Sequence, residues 1–331
     1  MKKTSNTTPT SGTNVKGLSS HTRTKVRVVF FGNERIATGV QTDCQTLKKL
    51  IESGYDIAAV VISHEVRASR STRPLEIAEL ATHYGIPLLA PQKPIDILEQ
   101  LTAYEAAVGV LVAYGKIIPQ HIIDVFPAGI INIHPSLLPL HRGSTPIESA
   151  MLAGASKTGV SLMRISRKMD AGDVYAYSEY PLDGTETKQD LADDLLELGS
   201  EMLVQTLPGI LSGDSIGQPQ DEQRATYDGL LTKQDGVMDL SQSVVQLERE
   251  VRAYLGWPGS RTVIAGKDVV ITAAHIADES VENVDKKSTF IANKQLCLQT
   301  TDGILVIDTL KPAGRPTMPT SAFLAGYGHL L

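Results

Sequence analysis

From Val26 onward the chain alternates short, continuously apolar runs with stretches of helical periodicity. Val26 to Phe31 is followed by a helical stretch near 42 to 53, the run Ile57-Ala58-Ala59-Val60-Val61-Ile62, and a further helix near 74 to 84. The runs Ala106 to Ala113 and Gly129 to Ile133 repeat the pattern. A strand that is apolar at every position, rather than at every second one, is buried on both faces. Such strands belong to parallel sheets covered by helices on either side. The expectation is therefore a doubly wound, Rossmann-like α/β domain. Two more strand-like stretches, 158 to 165 and 173 to 180, lead to a helix whose Leu191, Leu195, Leu198, Met202 and Ile210 share one stripe, and this helix closes the domain near residue 212.

Past a Gly/Ser/Pro/Gln-rich linker at 213 to 220 the character changes. One helix around 241 to 255 precedes short strands near 261, 269, 289, 296 and 304, separated by Gly, Asp and Asn turns. Residues 221 to 331 thus read as a smaller, OB-like β-barrel. At 331 residues and 42% hydrophobic content the chain can supply both cores. Residues 1 to 25 hold five Lys or Arg and no acidic residue, with many Ser and Thr, which is the composition of a disordered tail. The lack of acidic residues is shared with organellar transit peptides, but no amphipathic repeat accompanies it. Net charge is -6 and no apolar run approaches the roughly 18 residues of a membrane span, so a soluble, cytoplasmic monomer without membrane contact is expected. Cys44 and Cys297 are far apart and form no C-x-x-C, which argues against a disulfide framework or a zinc site.

The stretch "NIHPSLLPLHRG", residues 132 to 143, places an amide and an imidazole where a buried strand ends. Side chains alternate along a strand, so Asn132 and His134 point together while Ile131 and Ile133 point into the core. In open α/β sheets, ligands bind beyond the carboxyl ends of the strands, which is where this pair falls. Pro135, Pro139 and the Arg142-Gly143 turn stiffen the exit loop and leave backbone groups available to a ligand. A second unusual stretch, "KMDAGDV" at 168 to 174, carries Asp170 and Asp173 in a turn between two strands. Taken alone it reads as a hairpin turn. A carboxylate beside an imidazole and an amide, however, is a constellation suited to holding a tetrahedral oxyanion and moving a proton. His134 and His141 have no third ligand nearby in sequence, so no metal is expected. Gly32 does not complete a G-x-G-x-x-G, which disfavours a nicotinamide cofactor.

"HPSLLPLHRGSTPI" together with "TGVSLMRISRKMDAGDV" resembles the signature of the formyltransferase family that uses 10-formyltetrahydrofolate. The resemblance runs from about Lys25 to the C-terminus. Its later stretches, "RAYLGWPGS" at 252 to 260 and "DGILVIDTLKPAG" at 302 to 314, are similar to the C-terminal domain of the branch that formylates methionyl-initiator tRNA. The resemblance implies a catalytic Asn132, His134 and Asp170, a folate-contacting loop of Ser136, Leu137, Leu138 and Pro139, and charged initiator tRNA as partner. Residues 26 to 212 then form the formyltransferase catalytic domain and 221 to 331 a tRNA-binding domain.

Two departures stand out. Where the family usually has Thr-Pro after the first strand, this chain has Asn33-Glu34, in a turn read as structural. The loop "SHEVRASRSTRP", 63 to 74, is shorter than in most of the methionyl-tRNA branch and lacks its Gly-Arg-Gly, but keeps Arg67, Arg70 and Arg73 at every third position. In the family this loop approaches the tRNA acceptor end, so these arginines are candidate phosphate contacts. Residues 220 to 331 hold 11 Lys or Arg against 14 Asp or Glu and are not uniformly basic. Two alternatives stay open: formyl transfer to a small amine, such as glycinamide ribonucleotide or an amino-sugar nucleotide, and an RNA-binding module with a vestigial folate site.

Overall fold

A computed structural model describes residues 25–63, 75–278, 281–283 and 287–331. The tail expected at 1 to 25 therefore lies, but for Lys25, outside the described residues. In chain order the elements are β1 (Arg27–Gly32), α1 (Gln45–Glu52), β2 (Asp56–Val61), α2 (Glu76–His83), β3 (Leu88–Leu89), α3 (Leu98–Ala103), β4 (Val108–Val112), α4 (Gln120–Ile123) and β5 (Ile130–His134). They continue with β6 (Arg142–Gly143), α5 (Pro146–Leu152), β7 (Lys157–Arg164), β8 (Val174–Pro181), α6 (Lys188–Ser212) and β9 (Tyr227–Asp228). The last part comprises α7 (Val244–Ala253), β10 (Ser260–Ile264), β11 (Lys267–Ile276), β12 (Thr289–Ala292), β13 (Gln295–Gln299), β14 (Ile304–Pro312), β15 (Met318–Pro319) and α8 (Thr320–Tyr327).

Seven strands form one sheet in the order β3-β2-β1-β4-β5-β7-β8. The first five are parallel, as the apolar runs require, and β7 and β8 join antiparallel. The winding reverses between β1 and β4, which opens a crevice at the carboxyl edge. Val28 and Phe30 of β1 pack on one face with Ile131, Ile133, Leu191 and Leu195, while Val29 and Phe31 pack on the other with Ile122, Phe126 and Ile130. Each such side chain contributes roughly 1.5–3 kcal/mol by leaving water. Gly32 ends β1 with φ 121°, and a Cβ there would meet the Val112 carbonyl oxygen at 1.8 Å, so only glycine fits the turn.

The β-barrel expected after residue 221 takes the form of a curled half-barrel, an antiparallel sheet in the order β10-β11-β14-β13-β12 with β15 on β14. Register shifts between Ile271 and Ala274 bend β11, and such bulges raise local twist. Leu247 and Val251 of α7 fill its concave side against Leu296, Leu298, Leu305 and Ile307. The two sheets are fastened through Lys188, whose Nζ donates to the Trp257 carbonyl at 2.9 Å and sits 3.5 Å from buried Glu148.

Candidate active site

β5 lies inside the first sheet beside β4, so its carboxyl end opens next to the crevice. Asn132 and His134 continue the row begun by Ile130 and are nearly buried, at 6% and 4% exposure. His134 Nε2 lies 2.9 Å from the His141 carbonyl oxygen. A carbonyl only accepts, so Nε2 carries the proton and Nδ1 is the other face of the ring. That Nδ1 is 4.0 Å from Asp170 Oδ2, a distance of charge contact rather than of hydrogen bonding. The Asn132 side chain has no hydrogen-bond partner among the described residues, which leaves a nearly buried amide with its capacity unused.

Asp170 comes from the turn between β7 and β8. Its φ of 47° is left-handed, a region that non-glycine residues enter only when the surroundings hold them there. Its Oδ2 accepts the Gly143 N–H at 2.8 Å. The structure thus brings two distant stretches, 132 to 143 and 168 to 174, into one cluster.

The loop of Ser136, Leu137, Leu138 and Pro139 is more self-satisfied than its prolines suggested. Ser136 N–H bonds the His134 carbonyl, Leu138 N–H bonds Ser161 Oγ, Ser161 Oγ donates to the Ser136 carbonyl, and Ser136 Oγ donates to the Leu140 carbonyl. Leu140 N–H returns to Leu137, and the Pro139 carbonyl accepts from Thr226 N–H. Among the described residues the Leu137 N–H and the Leu138 carbonyl remain unpaired. Leu138 itself packs with Met163 and Val174, and the Leu138-Pro139 peptide is cis.

Arg142, expected to be part of a turn, is a fully buried hub. Its Nε and Nη2 donate to Gln220 Oε1 at 3.1 and 2.9 Å, Nη2 to Glu222 at 2.8 Å and Nη1 to the Tyr227 hydroxyl at 2.7 Å. The guanidinium holds the Glu222 carboxyl below the usual carboxylate range. Sequence reading missed Gln220 and Glu222, because partners 78 and 80 residues away leave no local spacing signal. Arg67, Arg70 and Arg73 lie outside the described residues. Among the described residues no three His, Cys, Asp or Glu side chains gather as a metal site, and no helix is long and apolar enough to cross a membrane.

Residues 26–207 match the formyl transferase family and residues 230–328 its C-terminal domain. The methionyl-tRNA formyltransferase of Roseiflexus castenholzii is 34% identical over 306 residues, 91% of this chain and 96% of its own. That of Chloroflexus aurantiacus is 36% identical over 310 residues, 91% and 97%. Among solved structures, HypX from Aquifex aeolicus in complex with tetrahydrofolic acid superposes with a TM-score of 0.65 at 19% identity, over 91% of this chain and 47% of that one, a likeness of fold. With its two larger sheets matched in this way, the chain belongs to the formyl transferase family and is a transferase.

Proposed function

We propose that this protein transfers the formyl group of 10-formyltetrahydrofolate to the α-amino group of methionyl-initiator tRNA. The observation that carries the reading is the match to relatives named methionyl-tRNA formyltransferase along 91% of this chain and nearly all of theirs, half-barrel included. In this reading residues 26 to 212 carry the chemistry, residues 221 to 331 grip the tRNA, and the protein works as a cytoplasmic monomer without a metal.

The geometry suits the reaction. The neutral amine attacks the formyl carbon, a C–N bond forms, and the carbonyl electron pair moves onto oxygen. Asn132 offers an unpartnered amide to that oxyanion. With Nε2 committed to His141, His134 serves it through Nδ1, in the imidazolium form that the nearby Asp170 carboxylate pairs with. Asp170 assists passage of the amine proton to the departing N-10 nitrogen as the old C–N bond breaks. The free Leu137 N–H and Leu138 carbonyl offer one donor and one acceptor to the folate ring, in a loop already rigid.

The test incubates the purified protein with 10-formyltetrahydrofolate and, in parallel, charged initiator tRNA, glycinamide ribonucleotide and an amino-sugar nucleotide. Formylation of the tRNA alone is expected. Turnover confined to a small amine would transfer the reading to that substrate, and RNA binding without any formyl transfer would leave a vestigial site.

A further inference from the structure

The chain that leaves α6 turns back across the candidate site before it reaches the half-barrel. Gln218 pairs with Val174 through two backbone hydrogen bonds of 2.9 and 2.8 Å, and β9 pairs in parallel with β6. One side chain of this strap reaches the backbone at Asp170, and another reaches the imidazole of His141, whose carbonyl holds His134. Gln220 Nε2 donates to the carbonyls of Asp170 and Gly172, each at 2.8 Å, while its Oε1 is fixed by buried Arg142. Asp228 Oδ2 lies 2.9 Å from His141 Nδ1, and the His141 carbonyl is the acceptor for His134 Nε2–H.

Asp170 and His141 are the two non-glycine residues of this cluster in the left-handed region, at φ 47° and 58°. Each such conformation costs on the order of 1 kcal/mol or more and persists only where neighbours over-determine it. The strap supplies that bracing at both. Asp228 adds a steric brace: a Cβ at Gly143, where φ is 115°, would meet the Asp228 carbonyl oxygen at 2.2 Å. Gly143 is the residue whose N–H holds the Asp170 carboxylate.

We propose that Gln220 and Asp228 are positioning residues of the formyl-transfer site. Gln220 fixes the Asp170 turn, and Asp228, acting through His141, fixes the carbonyl that accepts the His134 Nε2–H and so orients the ring. The inference rests on the assignment of His134 and Asp170 above. If the His141 carbonyl swings away, the ring of His134 loses the acceptor that fixes its orientation, and with it the direction in which Nδ1 faces Asp170. Displacement of about 1 Å in such a site costs about a hundredfold in rate.

Two double-mutant cycles on the full-length protein test this: Asp228→Ala with His134→Ala, and Gln220→Ala with Asp170→Ala. Turnover is read with 10-formyltetrahydrofolate and whichever of the three amines the parent formylates. Asp228→Ala and Gln220→Ala should each lower kcat about tenfold or more, leave KM for the folate within about twofold, and cost almost nothing once the partner is already Ala. An equal fractional loss in both backgrounds, or a loss carried by KM, overturns the proposal. Should Asp228→Ala fail to fold, Asp228→Asn keeps the size and one acceptor oxygen, and the same non-additivity is expected of it. Parent-like turnover in His134→Ala or Asp170→Ala would instead remove the site assignment, and this inference with it.

Discussion

Two strands of the first sheet, β1 and β5, both end at its carboxyl edge in buried polar residues, yet they use them in opposite ways. After β1, Glu34 is 1% exposed and its two carboxylate oxygens accept the N–H groups of Thr46 and Leu47 at 2.8 and 2.9 Å. It caps α1, whose own N-cap residue Cys44 is left-handed and offers no side-chain bond. Asn33 likewise accepts the Arg35 N–H. After β5, Asn132 is almost as buried but has no partner, and His134 commits one nitrogen of two. Burial of polar groups does not by itself separate the two ends; what differs is hydrogen-bonding capacity, used up at Glu34 and left open at Asn132, where the proposed reaction would draw on it.

The comparison can be broken most sharply at β5. His134→Ala or Asn132→Ala should lose about a hundredfold or more in kcat, near 3 kcal/mol of transition-state stabilisation, while the thermal midpoint moves little. Parent-like turnover would place the pair with the supports. The converse holds at β1, where Glu34→Gln should leave turnover alone and alter stability. Burial pushes the Glu34 carboxyl up to about 7 from an ordinary 4.5. Between those values the native protein binds a proton that the unfolded chain has released, so this group's contribution to stability falls as pH rises from about 4.5 to about 7. Over that window the loss is on the order of 3 kcal/mol. Denaturant titrations across the range should show a correspondingly flatter dependence in Glu34→Gln; an unchanged slope would mean that Glu34 stays ionised throughout.

Leu138 tests the loop between these extremes. Its side chain is buried against Met163 and Val174, so Leu138→Ala should cost about 2–4 kcal/mol of stability and weaken folate in calorimetry by loosening the rigid loop. Loss of stability at unchanged folate affinity would move the folate contacts elsewhere. The smallest effect is expected at the arginine loop. Changing Arg67, Arg70 and Arg73 together to Ala should raise KM for charged tRNA without changing folate affinity. Each lost phosphate contact should reduce the slope of log affinity against log salt by roughly 0.7–0.9. A salt dependence equal to the parent's would show that the loop makes no phosphate contact.

Much of this protein was legible in the sequence, for a local reason. Continuously apolar strands, striped helices and the Gly32 turn are written into neighbouring residues, and they determined the α/β sheet and the position of Asn132 and His134 at the end of β5. The unusual composition of "KMDAGDV" marked Asp170, although nothing local gave its distance from His134. Contacts made across the chain were decided only in three dimensions. The loop after β5 was expected to leave its peptide groups open, but Ser161 and Thr226, 23 or more residues away, satisfy three of those between Ser136 and Pro139, and neighbours in the chain satisfy two more. Arg142 looked like a turn residue until Gln220, Glu222 and Tyr227 closed around it. A hydrogen bond leaves a pattern in sequence when its partners are set by helix or strand periodicity. The strap crosses the site once, at contacts no period repeats, so its hold on Asp170 and His141 exists only in the folded chain.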